Sequence, residues 1–262
     1  MSFPGQTATV AERRWSHAAE MRSARRVQSR LLPDAAPSSV GLECAGLCLP
    51  DRSVGGDFYD FLTIGPGRTA LVLGDVSGKG VPAALLMATL RASLRCHYAI
   101  GSGDLVQRLQ CVNRLFGEST AMEHYASLFV AEFDASSGRL RYANCGHVPP
   151  VLLRRGLRVE RLDATAGPLG MFEDWVCQAN EAVLAEGDLL VVVSDGATEA
   201  VGGRGETFGD SRLVAAIQAN RELRIAALLR AVADEVRSFC DGGPPDDLTL
   251  VAARVRGRGG PR

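Results

Sequence analysis

The sequence predicts an α+β protein, a four-layer αββα sandwich in which two antiparallel sheets pack face to face with helices outside. Three observations support this fold class. Predicted strands occur in clusters, predicted helices occur in pairs, and 46% of the 262 residues are hydrophobic. The regular alternation of strand and helix that is typical of a parallel doubly wound sheet is missing. A chain of this length can bury most of its apolar surface without disulfide bonds.

The first predicted element is a helix over residues 8–32, which ends before Pro33 because proline cannot continue a helix. One face of this helix is formed by residues that recur at helical intervals, namely Ala18, Met21, Ala24, Gln28 and Leu31. Arginines occupy the other face, so the helix either packs on its own domain or binds a partner or a second copy of the chain. We therefore divide the chain into a regulatory or linker helix at 1–33, a main domain at 34–256 and a disordered basic tail at 257–262.

The remaining elements follow from hydrophobic periodicity and from the Gly, Pro and Ser residues that separate the apolar segments. Short apolar or alternating segments predict strands at 42–49, 58–64, 69–76, 126–133, 140–144, 148–154, 158–162, 179–184, 188–194 and 248–255. Longer segments with helical spacing predict helices at 81–98, 105–116, 211–218 and 223–239. Pro82 suits a first helical turn, where no N–H is needed. Glu186 and Gly187 predict a hairpin turn that pairs the strands on either side.

Composition excludes several classes of protein. The formal net charge of −1 excludes a globally basic nucleic-acid binder. No apolar segment approaches the roughly 20 residues that a membrane helix needs, and no signal peptide is recognisable, so we expect a cytoplasmic protein without a membrane partner. The seven cysteines have no CxxC spacing and are interpreted as reduced, mostly buried thiols.

Four aspartates share one setting, because each lies at the end of an apolar strand or beside a glycine turn. They are Asp57, Asp75, Asp195 and Asp246. A single Asp-Gly after a strand is usually only a turn, but four such sites are harder to explain in that way. Carboxylates that converge in a fold repel each other unless a cation lies between them. Mg²⁺ or Mn²⁺ is the natural counter-charge for hard oxygen ligands.

The loop at 74–80 follows a strand and precedes a helix, as a phosphate-binding P-loop does. Only three residues separate its first two glycines, however, and neither Ser nor Thr follows Lys79, so the P-loop pattern is not met. Lys79 is the only lysine among the 29 basic residues. Either it points to solvent as an ordinary loop residue, or its compact ammonium group attracts a phosphate.

Six motifs occur in a specific combination and order. They are VGGDFYD at 54–60, GDVSGKGVPAA at 74–84, YANCGHVPP at 142–150, GPLG at 167–170, SDGATE at 194–199 and DDLTL at 246–250. Together they resemble the metal-dependent serine/threonine protein phosphatases of the type-2C class (PPM), and within that class the bacterial SpoIIE/RsbU-like branch. The resemblance covers about residues 31–255, and it implies two antiparallel sheets that hold two Mn²⁺ or Mg²⁺ ions between them.

The resemblance also implies a set of ligands and a mechanism. The ligands would be Asp57, Asp75, the backbone carbonyl of Val76, Asp195 and Asp246, with Asp75 shared by both ions. Asp247 would contact these ligands without binding the ions itself. A hydroxide that bridges the two ions would attack the phosphorus of a phosphoserine or phosphothreonine. Ser77 replaces a histidine of the larger eukaryotic relatives, which leaves the general acid unassigned.

Other motif residues have open roles. His147 either supports a turn together with Asn144 or approaches the substrate. Asp60 either supports the metal ligands or, as we expect, is a surface carboxylate on its strand, and Glu199 is expected to cap the helix after Asp195.

For the biological role, the resemblance implies a phosphoprotein substrate, namely an anti-sigma factor antagonist in a partner-switching pathway. Residues 10–32 would bind a regulator or form a homodimer. The main alternative is a pseudophosphatase that binds a regulatory protein without catalysis. A third reading is a metal-dependent enzyme that acts on a small phosphate ester or a nucleotide.

Overall fold

A computed structural model describes residues 10–33, 41–101, 103–121, 123–240 and 246–257, with side chains described from residue 18 onward. The helices are α1 (Val10–Ser29), α2 (Val81–Ile100), α3 (Leu105–Glu118), α4 (Asp195–Thr198), α5 (Gly209–Ala219) and α6 (Ile225–Phe239). The strands are β1 (Leu42–Leu49), β2 (Phe58–Gly65), β3 (Arg68–Val76), β4 (Ala126–Asp134), β5 (Arg139–Cys145), β6 (Val151–Leu153), β7 (Val159–Arg161), β8 (Asn180–Val183), β9 (Leu189–Val193) and β10 (Leu248–Val255).

The strands form two antiparallel sheets of five strands each. Sheet A has the order β1-β10-β9-β6-β7, and sheet B has the order β2-β3-β4-β5-β8. One apolar cluster fills the space between the sheets. A second cluster packs α5 and α6 on the outer face of sheet A, and a third packs α2 and α3 on the outer face of sheet B. The structure therefore confirms the predicted αββα sandwich.

Burial explains which strands are central. All five residues of β9, from Leu189 to Val193, are buried. Both of its faces are covered, and it hydrogen-bonds to β10 on one side and β6 on the other. In contrast, β8 is mostly exposed and lies at the edge of sheet B. The continuous apolar sequence of β9 is what a strand covered on both faces requires.

The predicted hairpin across Glu186 and Gly187 is wrong. The local turn exists, since the N–H of Asp188 donates to the carbonyl of Ala185 at 3.0 Å. The two strands then separate, because β8 pairs with β5 in sheet B whereas β9 enters sheet A. A turn sequence specifies only a local change of direction, and the choice of sheet depends on which strands are already in place.

Most predicted boundaries agree with the structure to within a few residues, and those of β1 and β10 match fully. The strand predicted at 148–154 shrinks to β6 because Pro149 and Pro150 have no N–H to donate to a neighbouring strand. The short helix α4 was expected after Asp195 without predicted bounds, and Glu199 caps its C-terminus with its N–H donating to the carbonyl of Asp195. Residues 34–40, at the start of the predicted main domain, and residues 258–262 of the predicted tail lie outside the described residues.

Asp60 contradicts its predicted surface position, because it is buried at 1% exposure on the side of β2 that faces α2. Its carboxylate forms ion pairs with Arg91 at 3.0 Å and Arg95 at 2.8 Å, both on α2. It also accepts the N–H of Phe61 at 2.9 Å. Strand periodicity alone placed Asp60 on one face of β2, but it could not show that two arginines cover that face.

Two further predictions concern the burial of the cysteines and the lack of a membrane helix. Cys145, Cys177 and Cys240 are buried, Cys44, Cys48 and Cys111 are partly buried, and Cys96 is exposed, all as free thiols. In the described part of the chain, no helix combines the length and the apolarity needed to cross a membrane.

Candidate metal centre

The register of sheet B places two of the predicted acids side by side. Asp57 directly precedes β2, and Asp75 is the penultimate residue of β3. Because Phe58 pairs with Gly74, the neighbouring residues Asp57 and Asp75 lie opposite each other. Both point between the two sheets, as their alternation with the buried Phe58 and Gly74 requires.

Sheet A delivers the other two acids to the same end of the sandwich. Asp195 begins α4 immediately after β9, and Asp246 lies two residues before β10. The two segments are joined by hydrogen bonds from the N–H of Ser194 to the carbonyl of Thr249 (2.9 Å) and from the Ser194 hydroxyl to the carbonyl of Asp247 (3.2 Å). All four predicted carboxylates therefore lie at one edge, where the sheets face each other.

Two glycines allow the segments at this edge to approach closely. A Cβ on Gly55 would lie 1.7 Å from Oδ2 of Asp247, and a Cβ on Gly56 would lie 2.4 Å from the carbonyl oxygen of Val76. Asp247 also accepts the N–H of Asp51 at 2.9 Å, so its carboxylate holds the loop that leads to Asp57. Any side chain at 55 or 56 would push this loop away from the site.

The acids at this edge raise each other's pKa. Burial, and then repulsion from Asp75 and Asp247, raises the pKa of Asp57 well above its usual value. Burial and the charge of Asp195 raise the pKa of Asp75 from 3.8 to about 7. Burial, followed by the charges of Glu199 and Asp246, also raises the pKa of Asp195. The edge therefore concentrates negative charge that a bound cation would stabilise.

The donor chemistry fits a hard divalent cation. Oδ2 of Asp57 and the hydroxyl of Thr249 are buried, and neither has a hydrogen-bond partner among the described residues. The available donors are carboxylate and carbonyl oxygens, which Mg²⁺ and Mn²⁺ prefer. Within the described ranges, however, no three His, Cys, Asp or Glu side chains form a closed set of metal ligands.

Lys79 forms an ion pair with one of the four acidic residues at this edge. Its Nζ lies 2.7 Å from Oδ2 of Asp246, and about two-fifths of each side chain is exposed. The loop after β3 thus reaches across to the segment before β10. The solvent-facing interpretation of Lys79 is incomplete, because its ammonium group already holds one of the predicted metal ligands.

The remaining predicted residues stabilise the loops around the site. Ser77 donates its N–H to the carbonyl of Tyr125 at 2.9 Å and accepts the N–H of Tyr125 with its hydroxyl at 3.0 Å. His147 is buried, its Nδ1 lies 2.9 Å from the carbonyl of Val148, and burial lowers its pKa to about 4. His147 is therefore neutral at neutral pH. The Asn144 side chain accepts the N–H of His147 at 2.8 Å, which fixes the turn.

The sequence prediction missed the contact that Gln28 makes. The side-chain amide of Gln28, at the end of α1, donates to the carbonyl of Gly55 at 2.7 Å and accepts the N–H of Gly55 at 3.1 Å. Gly55 is two residues from Asp57, so α1 is connected to the acidic edge. The available signal was a polar residue in an otherwise apolar helical stripe, since such a residue requires a polar partner when it is covered.

In the metal-free protein, the contribution of Asp75 to stability should fall as the pH rises. Asp75 has a raised pKa, so between pH 3.8 and about 7 this group binds more protons in the folded chain than in the unfolded chain, and its contribution to the free energy of unfolding falls with pH through this window. Asp75→Asn removes this titration and should flatten the fall. Thermal unfolding in chelator at several pH values tests this, and an equally steep fall in the variant would contradict it.

The family comparison covers most of the chain. The model for a family described as "Stage II sporulation protein E (SpoIIE)" matches residues 65–256. This range includes Asp75, Asp195 and Asp246, whereas Asp57 lies just before it.

Two curated relatives are similar over long segments. "Protein IcfG" of Synechocystis sp. is 31% identical over 261 residues, covering 89% of this chain and 41% of the relative. "Phosphoserine phosphatase RsbU" of Bacillus subtilis is 27% identical over 181 residues, covering 69% of this chain and 53% of the relative. The chain thus spans about half or less of these relatives.

Solved structures support the fold. The RsbU and RsbW domains of Rv1364c from Mycobacterium tuberculosis match at a TM-score of 0.73 and 29% identity, over 87% of this chain and 63% of that chain. The catalytic domain of the serine threonine protein phosphatase PstP, solved with two manganese ions, matches at a TM-score of 0.60 and 19% identity, over 82% of this chain and all of that chain.

Proposed function

This chain belongs to the SpoIIE family, and solved structures of similar fold include PP2C phosphatase domains; we propose that it is a metal-dependent phosphoserine/phosphothreonine protein phosphatase. One observation carries this proposal: carboxylates from both sheets meet at one edge, where burial and then the neighbouring charges raise the pKa of Asp57 and Asp75. A site of this kind gains most from two divalent cations, and phosphate esters are the substrates whose charge such cations neutralise.

The proposed ligands follow from the two sheets. Asp57, Asp75 and the carbonyl of Val76 would hold one ion, and Asp75, Asp195 and Asp246 would hold the other. Two Mn²⁺ or Mg²⁺ ions would supply an activated water and neutralise charge on the phosphate oxygens.

The residues around the ligands keep the site in place and limit its chemistry. Asp247 braces the loop before Asp57 through the N–H of Asp51. Ser77 fixes the loop after Asp75 to the start of β4. His147 is buried and its pKa is lowered to about 4, so it is not in the imidazolium form that a general acid needs at neutral pH.

The substrate class is proposed from the relatives. "Phosphoserine phosphatase RsbU" is so named for its action on phosphoserine, and the mycobacterial neighbour combines an RsbU domain with an RsbW domain. We therefore propose a phosphorylated anti-sigma factor antagonist as substrate, within a cytoplasmic partner-switching pathway. The alternative, a pseudophosphatase that binds such a regulator without catalysis, draws on the absence of a closed ligand set among the described residues.

A substrate panel discriminates these readings. The full chain with Mn²⁺ is incubated with a phosphoserine protein, a phosphothreonine peptide, p-nitrophenyl phosphate and a nucleoside triphosphate, and released phosphate is measured. We expect phosphate from the first three and little from the nucleotide. Hydrolysis of the nucleotide alone would contradict a protein phosphatase, and no hydrolysis of any substrate would favour the pseudophosphatase.

The helix α1 is proposed to be the control element of the enzyme. Its apolar face ends at Gln28, whose amide forms two hydrogen bonds with Gly55 beside the metal centre. The side chain of the neighbouring Val27 is 62% exposed, which leaves a surface for a regulator or for a second copy of the chain. A partner that moves α1 would therefore move the loop that carries Asp57.

Gln28→Ala should weaken Mn²⁺ binding and lower activity about three- to tenfold, because two hydrogen bonds that position the Gly55 loop are lost. Ser29→Ala is the matched control, since Ser29 is exposed on the same helix and bonds to the carbonyl of Arg26. Calorimetric titration with Mn²⁺ and steady-state kinetics provide the readouts. Equal values for the two variants would show that the Gln28 contact does not position the site.

A further inference from the structure

Lys79 is bound to a residue that the proposed function assigns to a metal ion. The 2.7 Å contact between its Nζ and Oδ2 of Asp246 is a direct ion pair that joins the loop after β3 to the segment before β10. A divalent cation bound to this carboxylate would lie close to the ammonium group, and the two positive charges would repel each other. The ammonium group and the metal ion therefore compete as counter-charges for this carboxylate.

The surroundings of Lys79 allow it to leave Asp246. Its side chain is 39% exposed, and that of Asp246 is 42% exposed, so the pair is not locked in a buried network. Lys79 lies between Gly78 (φ 93°) and Gly80 (φ 73°), whose backbone conformations other residues rarely adopt. A half-exposed ion pair contributes little free energy, so a competing charge can separate it.

The position of Lys79 limits where its ammonium group can go. Asp75 lies four residues before it, and the loop between them is fixed to Tyr125 through Ser77. A released ammonium group therefore stays at the mouth of the acidic edge. There it would face a phosphate group held by the metal ions, beside the carboxylate of Asp51, whose charge already acts on Lys79.

We propose that Lys79 is an exchangeable counter-ion: it neutralises Asp246 in the metal-free protein, yields this carboxylate to the incoming divalent cation, and then contacts the phosphate of the substrate. The inference rests on the proposed function, because it presupposes metal and phosphate sites at this edge. It assigns Lys79 opposite effects on two ligands, since the side chain competes with the metal ion and assists the phosphate.

Lys79→Ala tests the exchange with two measurements on the full chain. Calorimetric titration with Mn²⁺ alone should show about two- to fivefold tighter binding, the range that a half-exposed ion pair supports. At saturating Mn²⁺, the KM for p-nitrophenyl phosphate should rise about three- to tenfold with kcat changed much less, because a charge-assisted contact to the phosphate is lost. If Lys79 had only a structural role, Lys79→Ala would weaken the binding of both Mn²⁺ and p-nitrophenyl phosphate.

Arg52→Ala is the matched control, because it removes the same charge near Lys79 from a side chain that pairs with Asp51 instead of with a proposed ligand. We expect this variant to leave both constants within about twofold of the wild type. Unchanged or weaker Mn²⁺ binding in Lys79→Ala, or an unchanged KM, would overturn the exchange. A wild-type chain that binds no Mn²⁺ and hydrolyses nothing would instead overturn the proposed function.

Discussion

Asp75→Asn should abolish cooperative Mn²⁺ binding and lower phosphatase activity by about 10³-fold or more. Asp75 lies opposite Asp57 in sheet B, and the charge of Asp195 from sheet A raises its pKa. It is therefore the carboxylate that links the two halves of the site. An asparagine retains the shape of the side chain but loses the charge that holds a cation. The loss falls on the step in which charge develops on the phosphate, where electrostatic stabilisation is largest.

Asp134→Asn is the matched control for this prediction, because Asp134 lies at the opposite end of sheet B, where its carboxylate accepts the N–H of Ser136. Circular dichroism must show that both variants fold. Calorimetric titration with Mn²⁺ and phosphate release should leave Asp134→Asn near the wild type. Activity of Asp75→Asn within tenfold of the wild type would mean that the carboxylates do not act through a shared cation.

Asp60→Ala should reduce the free energy of unfolding by about 3–5 kcal/mol, because it leaves a buried guanidinium group without its counter-ion. The side chains of Asp60 and Arg91 are only 2% and 12% exposed. Nε of Arg91 already has no hydrogen-bond partner in the described structure, so the group depends on Asp60. The pair also fixes α2, which begins directly after the loop of the metal centre.

Urea denaturation measures this effect. The control is Asp234→Ala, which breaks an ion pair with Arg237 at 4.0 Å whose side chains are 73% and 59% exposed. We expect that variant to change stability by less than about 0.5 kcal/mol. A loss below about 1 kcal/mol for Asp60→Ala would show that the ion pairs across α2 and β2 contribute little to the fold.

Local sequence patterns were sufficient for most elements and for the layer arrangement. Apolar periodicity identified β1 and β10 with their observed bounds, because both strands are long and flanked by turn residues. The bounds of β8 and β9 were also close, but their predicted pairing was wrong, since a hairpin turn and a crossover between sheets can share the same short Glu-Gly sequence. Strand order is a property of the whole sheet, and a single sequence contains no direct record of it.

In the candidate site, too, local motifs were predictable from the sequence, whereas contacts between distant segments were not. Each acidic motif is local, so Asp57, Asp75, Asp195 and Asp246 were recognisable by their position at strand ends. The contacts between motifs join residues that are far apart in the sequence, so they could be identified only from the structure. The amide of Gln28 reaches Gly55 across 27 positions, and Lys79 reaches Asp246 from the other sheet. Asp60 was misassigned for the same reason, because its arginine partners lie on α2.

The central claim is that carboxylates from both sheets bind divalent cations that carry out phosphoester hydrolysis. The most direct test measures phosphate release from a phosphoserine protein by the full chain during titration with Mn²⁺, with chelator, and in Asp195→Asn. We predict saturable activation by Mn²⁺, complete loss in chelator with recovery on adding excess Mn²⁺, and no activity in the variant. Phosphate release that persists in chelator, or in Asp195→Asn, would contradict the account.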